Sequence, residues 1–94
     1  MVKNDLLEKA IKEIESNIKH IRFSQLLKTC ENFFGEYRVS GSHCLFKTPW
    51  QGDPRINLQK LKGNFAKPYQ VRQVIRALNK LRELEKNKKN EQIS

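Results

Sequence analysis

The first regular pattern along the chain lies at residues 4–19, where Leu7, Ile11, Ile14, Ile18 and Ile21 recur at spacings of four, three, four and three. That spacing lines one face of a helix. Asn4 stands at the expected N-cap with Asp5 and Glu8 in the first turn, and Ser16-Asn17 offers an early stop. A second helix starts from Ser24 as N-cap, carries Leu26, Leu27 and Cys30, and runs to about residue 33, ahead of the helix-stopping Gly35. The period then changes. Tyr37 and Val39 alternate with polar neighbours over residues 36–40, residues 43–48 carry Leu45 and Phe46, and residues 55–59 alternate around Ile56 and Leu58. These read as three strands. Gly41-Ser42 separates the first two, and Thr48-Pro49-Trp50-Gln51-Gly52-Asp53-Pro54, dense in turn formers, is a loop. Pro68 opens a last helix whose apolar stripe is Val71, Val74, Ile75, Leu78 and Leu81, with Arg72, Arg76 and Lys80 four apart beside it. Residues 86–94 have no apolar period and are expected to fray as a flexible polar tail. The order α-α-β-β-β-α predicts an α+β fold, a small antiparallel sheet backed by helices.

Ninety-four residues allow one domain with a small core, which excludes large α/β barrels, two-domain clefts and most elaborate cofactor enzymes. No apolar run approaches the roughly 18 residues of a membrane span. The charged N-terminus leads straight into an amphipathic pattern, so no export signal is visible and a cytoplasmic location with reduced Cys30 and Cys44 is expected. The distribution of charge adds more. Residues 1–36 and 83–94 each balance to zero, so the whole formal charge of +9 falls within residues 37–82. Ten basic groups there (Arg38, Lys47, Arg55, Lys60, Lys62, Lys67, Arg72, Arg76, Lys80 and Arg82) face one acid, Asp53. Such a concentration costs self-repulsion and points to a polyanionic partner, nucleic acid above all, rather than a membrane surface.

Sequence motifs for chemistry are few. There is no Cys-x-x-Cys, phosphate-binding glycine loop, Gly-x-Ser-x-Gly or His-Glu-x-x-His. The basic segment offers only His43, Cys44 and Asp53 as metal donors, so neither a metal nor another cofactor is expected. His43 is the candidate that remains. Strand alternation puts His43, Leu45 and Lys47 on one face and Cys44, Phe46 and Thr48 on the other. If Phe46, Ile56 and Leu58 meet the helices, the opposite face displays His43, Lys47, Arg55, Asn57 and Arg38. Two readings stay open for His43: a residue opening a strand and hydrogen-bonded to the neighbouring loop, or an acid–base group. A neutral imidazole can take the proton of a ribose 2′-hydroxyl, its protonated form can give one to a leaving oxygen, and neighbouring cations can stabilise the phosphate. Tyr37 and Phe46 are expected in the core, whereas Trp50 at a loop tip and Tyr69 at a helix start stay open between a structural part and stacking on unpaired bases. Lys60, Lys62 and Lys67 crowd the positive end of the last helix, where phosphate is favoured.

Gly41-Ser42-His43-Cys44-Leu45-Phe46, then Ile56-Asn57-Leu58-Gln59, then Ala66-Lys67-Pro68-Tyr69-Gln70-Val71-Arg72-Gln73-Val74, resembles HicA-type toxins of bacterial toxin–antitoxin pairs. The likeness runs from about Ile21 to Leu81 and includes Phe33-Phe34-Gly35. It implies a double-stranded-RNA-binding-like α-β-β-β-α domain at residues 21–85, preceded by a helical extension at 1–20. It further implies endoribonuclease (mRNA interferase) activity and a HicB-type antitoxin covering the active face. The histidine of the Gly-Ser-His motif maps onto His43 as the catalytic residue, with Gly41 and Ser42 supporting it. Arg38, Lys47, Arg55, Lys60, Lys62, Lys67, Arg72 and Arg76 are the expected RNA-binding residues. One departure is Cys44, where many relatives carry a second histidine. The competing readings are a non-catalytic basic RNA-binding module and an interaction protein whose basic face meets an acidic partner.

Overall fold

Leu7, Ile11 and Ile14 fall on one side of a helix and are all at most 2% exposed, packed into the same core as Val71, Val74, Ala77, Leu78 and Leu81 of another. That contact organises the helical layer of the computed structural model, which describes residues 3–93. The elements are α1 (Lys3–Glu15), a 3₁₀ turn (Ile18–His20), α2 (Phe23–Phe34), β1 (Tyr37–Ser40), β2 (His43–Phe46), β3 (Ile56–Gln59) and α3 (Pro68–Ile93). The fold is α+β, with a three-stranded antiparallel sheet in the order β1-β2-β3. The capping role expected of Asn4 concerns a side chain outside the described residues.

Helix α1 ends at Glu15, where the Ser16 hydroxyl bonds the Glu13 carbonyl and Asn17 leaves helical geometry. The early stop is the one that Ser16-Asn17 offered. Helix α2 begins at Phe23, one residue before the expected Ser24 cap, because tertiary backbone bonds replace a side-chain cap there. The Phe23 amide donates to Asn64 O at 2.9 Å, and the Ala66 amide to Ile21 O at 2.8 Å. Gly35 stops α2 with φ +85, its amide bonded to Glu31 O.

Register settles the faces of the sheet. Phe46 pairs with Tyr37 and Ile56, and Cys44 with Val39 and Leu58. This face meets the helices through buried Phe46, Ile56 and Leu58. Val39 shares this face by alternation but is 64% exposed. It lies on an edge strand, over a shallow groove rather than under a helix.

Helix α3 continues to Ile93 instead of fraying after Glu85. The segment contains no Pro or Gly, and its three Lys, one Glu and one Gln are good helix formers that outnumber its two Asn, so nothing in it breaks the helix past the end of its apolar stripe. Helix α1 packs along α3, and Glu8 pairs with Arg82 across that contact at 3.8 Å. The N-terminal segment thus shares the core of the sheet domain. Among the described residues no helix is long and apolar enough to cross a membrane.

Burial separates two apolar residues of α1. Ile11→Ala empties a core position and is expected to cost about 2–5 kcal/mol in urea unfolding. Leu6→Ala, at an exposed position, should stay within about 0.5 kcal/mol. Equal effects would show that α1 does not belong to the core.

Candidate active site

The link between β1 and β2 is the shortest a hairpin allows. Ser40 pairs directly with His43, leaving Gly41 and Ser42 as the two turn residues. Gly41 has φ +61 and Ser42 is not in the positive region, a combination that matches the twist of antiparallel strands and calls for glycine first. His43 therefore enters β2 with its side chain opposite Cys44, on the face that the helices leave open.

That open face consists of two cross-strand rows: Ser40, His43 and Gln59, then Arg38, Leu45 and Asn57. His43 is half-buried, and its Nδ1 lies 2.8 Å from Asn57 Oδ1 on the neighbouring strand. Because a carbonyl oxygen only accepts, the neutral ring carries its hydrogen on Nδ1 and leaves the Nε2 lone pair unused. Gln59 Nε2 donates to Ser42 Oγ at 3.0 Å, which leaves the Ser42 hydroxyl hydrogen free for another acceptor.

Helix α3 holds both supporting residues from the outer edge of β3. Gln73 Oε1 accepts the Asn57 amide at 3.1 Å, and Gln70 Oε1 accepts the Gln59 amide at 3.2 Å. Gln70 Nε2 also donates to Gln59 O at 2.9 Å, and its side chain is buried, the residue only 2% exposed. The pattern of the chain placed Asn57 on this face without naming it a partner of His43, and the roles of Gln59, Gln70 and Gln73 were missed. Their signal was two glutamines three residues apart at the flank of an apolar stripe, where a wholly solvated helix face needs none.

The expected RNA-binding cations separate into groups. Arg38 lies on the open face as a diagonal neighbour of His43, across β2 from Asn57. Lys60 directly follows Gln59 at the His43 end of the sheet and borders a groove of about 420 Å³ with Gly41, Ser42, Cys44 and Arg22. Lys47 and Arg55 flank the Phe46–Ile56 pair at the other end and line one pocket with Trp50. Four residues of strand put Lys47 about 13 Å from His43. Lys62 lies in the loop after β3, Lys67 stands directly before α3, and Arg72 and Arg76 are exposed on α3. Among the described residues none of these eight cations forms an ion pair.

Trp50 is engaged in its own loop. Its Nε1 donates to Pro54 O at 2.6 Å, its ring meets Phe34 edge-on, and the Lys80 ammonium lies 5.6 Å from the ring centre. Tyr37 is half-buried against Phe46, and Tyr69 is exposed. No group of three His, Cys, Asp or Glu side chains among the described residues is arranged to hold a metal ion. Cys44, next to His43 in sequence, looks into the groove on the opposite face of the sheet. Burial pushes the Cys44 thiol up, and pushes that of Cys30, enclosed in the core, up to about 12. No protein-family model matches the chain, and neither a curated protein nor a solved structure matches it.

Nitrogen-15 NMR of the neutral His43 ring is expected to show the Nδ1–H form. Asn57→Ala should move it toward the Nε2–H form that free imidazole side chains prefer; an Nε2–H ring in the parent protein would contradict the geometry. Iodoacetamide should modify native Cys44 slowly, since the raised thiol pKa keeps thiolate scarce at neutral pH, and Cys30 only after unfolding. Mass spectrometry of both labelled peptides reads the order, and native labelling of Cys30 would be the contrary result.

Proposed function

We propose that this chain is a metal-independent endoribonuclease, an mRNA interferase toxin of the HicA kind, whose α2-β1-β2-β3-α3 portion is a double-stranded-RNA-binding-like domain. The observation that carries the proposal is the setting of His43: on an open, cation-bordered sheet face, Nδ1 tied to Asn57, Nε2 unused. RNA brings its own nucleophile, so one positioned base is enough to begin strand scission. Nε2 takes the proton of a ribose 2′-hydroxyl, and the oxygen attacks the adjacent phosphorus. The bond to the 5′-oxygen of the next nucleotide breaks, leaving a 2′,3′-cyclic phosphate and a 5′-hydroxyl. The proton held by the imidazole passes to the departing oxygen or to water, which restores the base.

Supporting groups have distinct parts. Asn57 holds the ring in the tautomer that presents Nε2 as acceptor, and the Ser42 hydroxyl is free to donate to a non-bridging phosphate oxygen. Arg38 is the cation closest by register to His43 and opposes the charge that builds on phosphorus, while Lys60, on the groove of the other face, binds a phosphate farther along the RNA strand. Lys47, Arg55, Lys67, Arg72 and Arg76, farther along the sheet and helix, bind flanking phosphates. A second histidine at position 44, as many HicA relatives have, would lie on the opposite face from His43, so this scheme needs only the one imidazole. Proteins of this kind are held inactive by an antitoxin, and a HicB-type partner covering the open face would block access to Nε2.

Labelled RNA incubated with purified protein in the presence of a chelator tests the proposal. The wild type should cut, and His43→Ala should lose at least about 10²-fold in rate while keeping its RNA affinity. Undiminished cleavage by His43→Ala would refute the role of the histidine. Retarded RNA with no cleavage by the wild type would favour the non-catalytic binding module.

A further inference from the structure

Among the described residues, two exposed aromatic rings lie near the start of α3, and their surroundings differ. Phe65 is 48% exposed but occupied: the Arg22 guanidinium lies 5.7 Å from its ring centre and His20 meets it edge-on at 6.1 Å. Tyr69 is 59% exposed, and no ring or cation packs on it among the described residues. Its hydroxyl is nevertheless tethered, 3.4 Å from Gln70 Nε2. The same nitrogen donates to Gln59 O, and Gln59 is both the register partner of His43 and the donor to Ser42. Consecutive contacts thus fix an exposed ring beside the His43 end of the sheet.

Charge surrounds this ring. Lys67 precedes it by two residues, Arg72 follows by one helical turn, and Lys60 lies just beyond Gln59. Tyr69, Arg72, Gln73 and Arg76 recur at helical spacing, and Gln73 reaches the β3 edge at Asn57, so this flank of α3 borders the open sheet face. A held aromatic ring among unpaired cations suits one ligand chemistry: a base face with phosphates on either side.

We infer that Tyr69 is the stacking platform for an unpaired nucleobase next to the phosphate presented to His43, and that the substrate is single-stranded there. The inference rests on the RNA reading of the site and adds the form of RNA. A base inside a duplex has both faces covered by its neighbours and cannot offer one to tyrosine. A duplex also holds the 2′-oxygen away from the line of the scissile P–O bond, whereas a base drawn onto Tyr69 lets its sugar turn into that line.

Full-length His43→Ala protein, in which cleavage is expected to be slowed enough to measure binding, provides the background for the test. Its affinity for a short unstructured RNA and for a hairpin duplex is compared with that of the Tyr69→Ala and Tyr69→Phe double variants. Tyr69→Ala should weaken single-strand binding by about 5- to 100-fold, with duplex binding unchanged and Tyr69→Phe close to the parent. Circular dichroism establishes that both variants fold. Unchanged single-strand binding in Tyr69→Ala, or equal losses on both RNAs, would overturn the stacking role alone. A parent that binds neither RNA would overturn the RNA reading of the site and this inference with it.

Discussion

The outer edge of β3 is the constraint on which the site depends. A strand of four residues at the margin of a three-stranded sheet exposes amides and carbonyls that need partners. Gln70 and Gln73 supply them, standing in for a fourth strand with side-chain amides from α3. Each bond contributes about 0.5–1.5 kcal/mol net, while a buried group left unpaired costs about 1–3 kcal/mol. The tethered residues, Asn57 and Gln59, are also the ones whose side chains hold His43 and Ser42. Closing the sheet edge and orienting the imidazole are therefore one structural act. A change in how α3 seats on β3 reaches the histidine through two hydrogen bonds.

The charge arrangement relies on a different part of the chain. A cationic segment of 46 residues repels itself, and a domain this size has limited apolar surface with which to resist. Helix α1 adds Leu7, Ile11 and Ile14 to the core while belonging to a segment of zero net charge. It packs on the helical side of the sheet, away from the open face. The neutral third of the molecule thus stabilises the basic remainder without covering the candidate site.

Elements marked by periodicity were legible in the chain: the helical stripes, the three alternating runs and the assignment of His43 to the face opposite Phe46. What escaped has physical reasons. The start of α2 is set by backbone bonds to residues 64–66, which are distant in sequence and leave no cap signal at Arg22. Val39 alternates as a buried residue would, yet how far a helix extends over an edge strand is decided by packing, not by the strand's own pattern. The tail of α3 shows that an absent apolar stripe marks an absent partner rather than an absent helix. The glutamine tethers were hidden because Gln on a helix is usually solvated, and only the seating of α3 turns two of them inward.

The two-residue turn at Gly41-Ser42 makes the position of His43 a matter of odd and even. Because successive strand side chains alternate faces, one extra codon in the turn would exchange the two rows of β2. Cys44 would then look out over the cations and the imidazole would point in among the helices, with phenylalanine set in the open. Length at this hairpin is accordingly under tighter restraint than identity at most surface positions, and tolerated insertions would have to come in pairs.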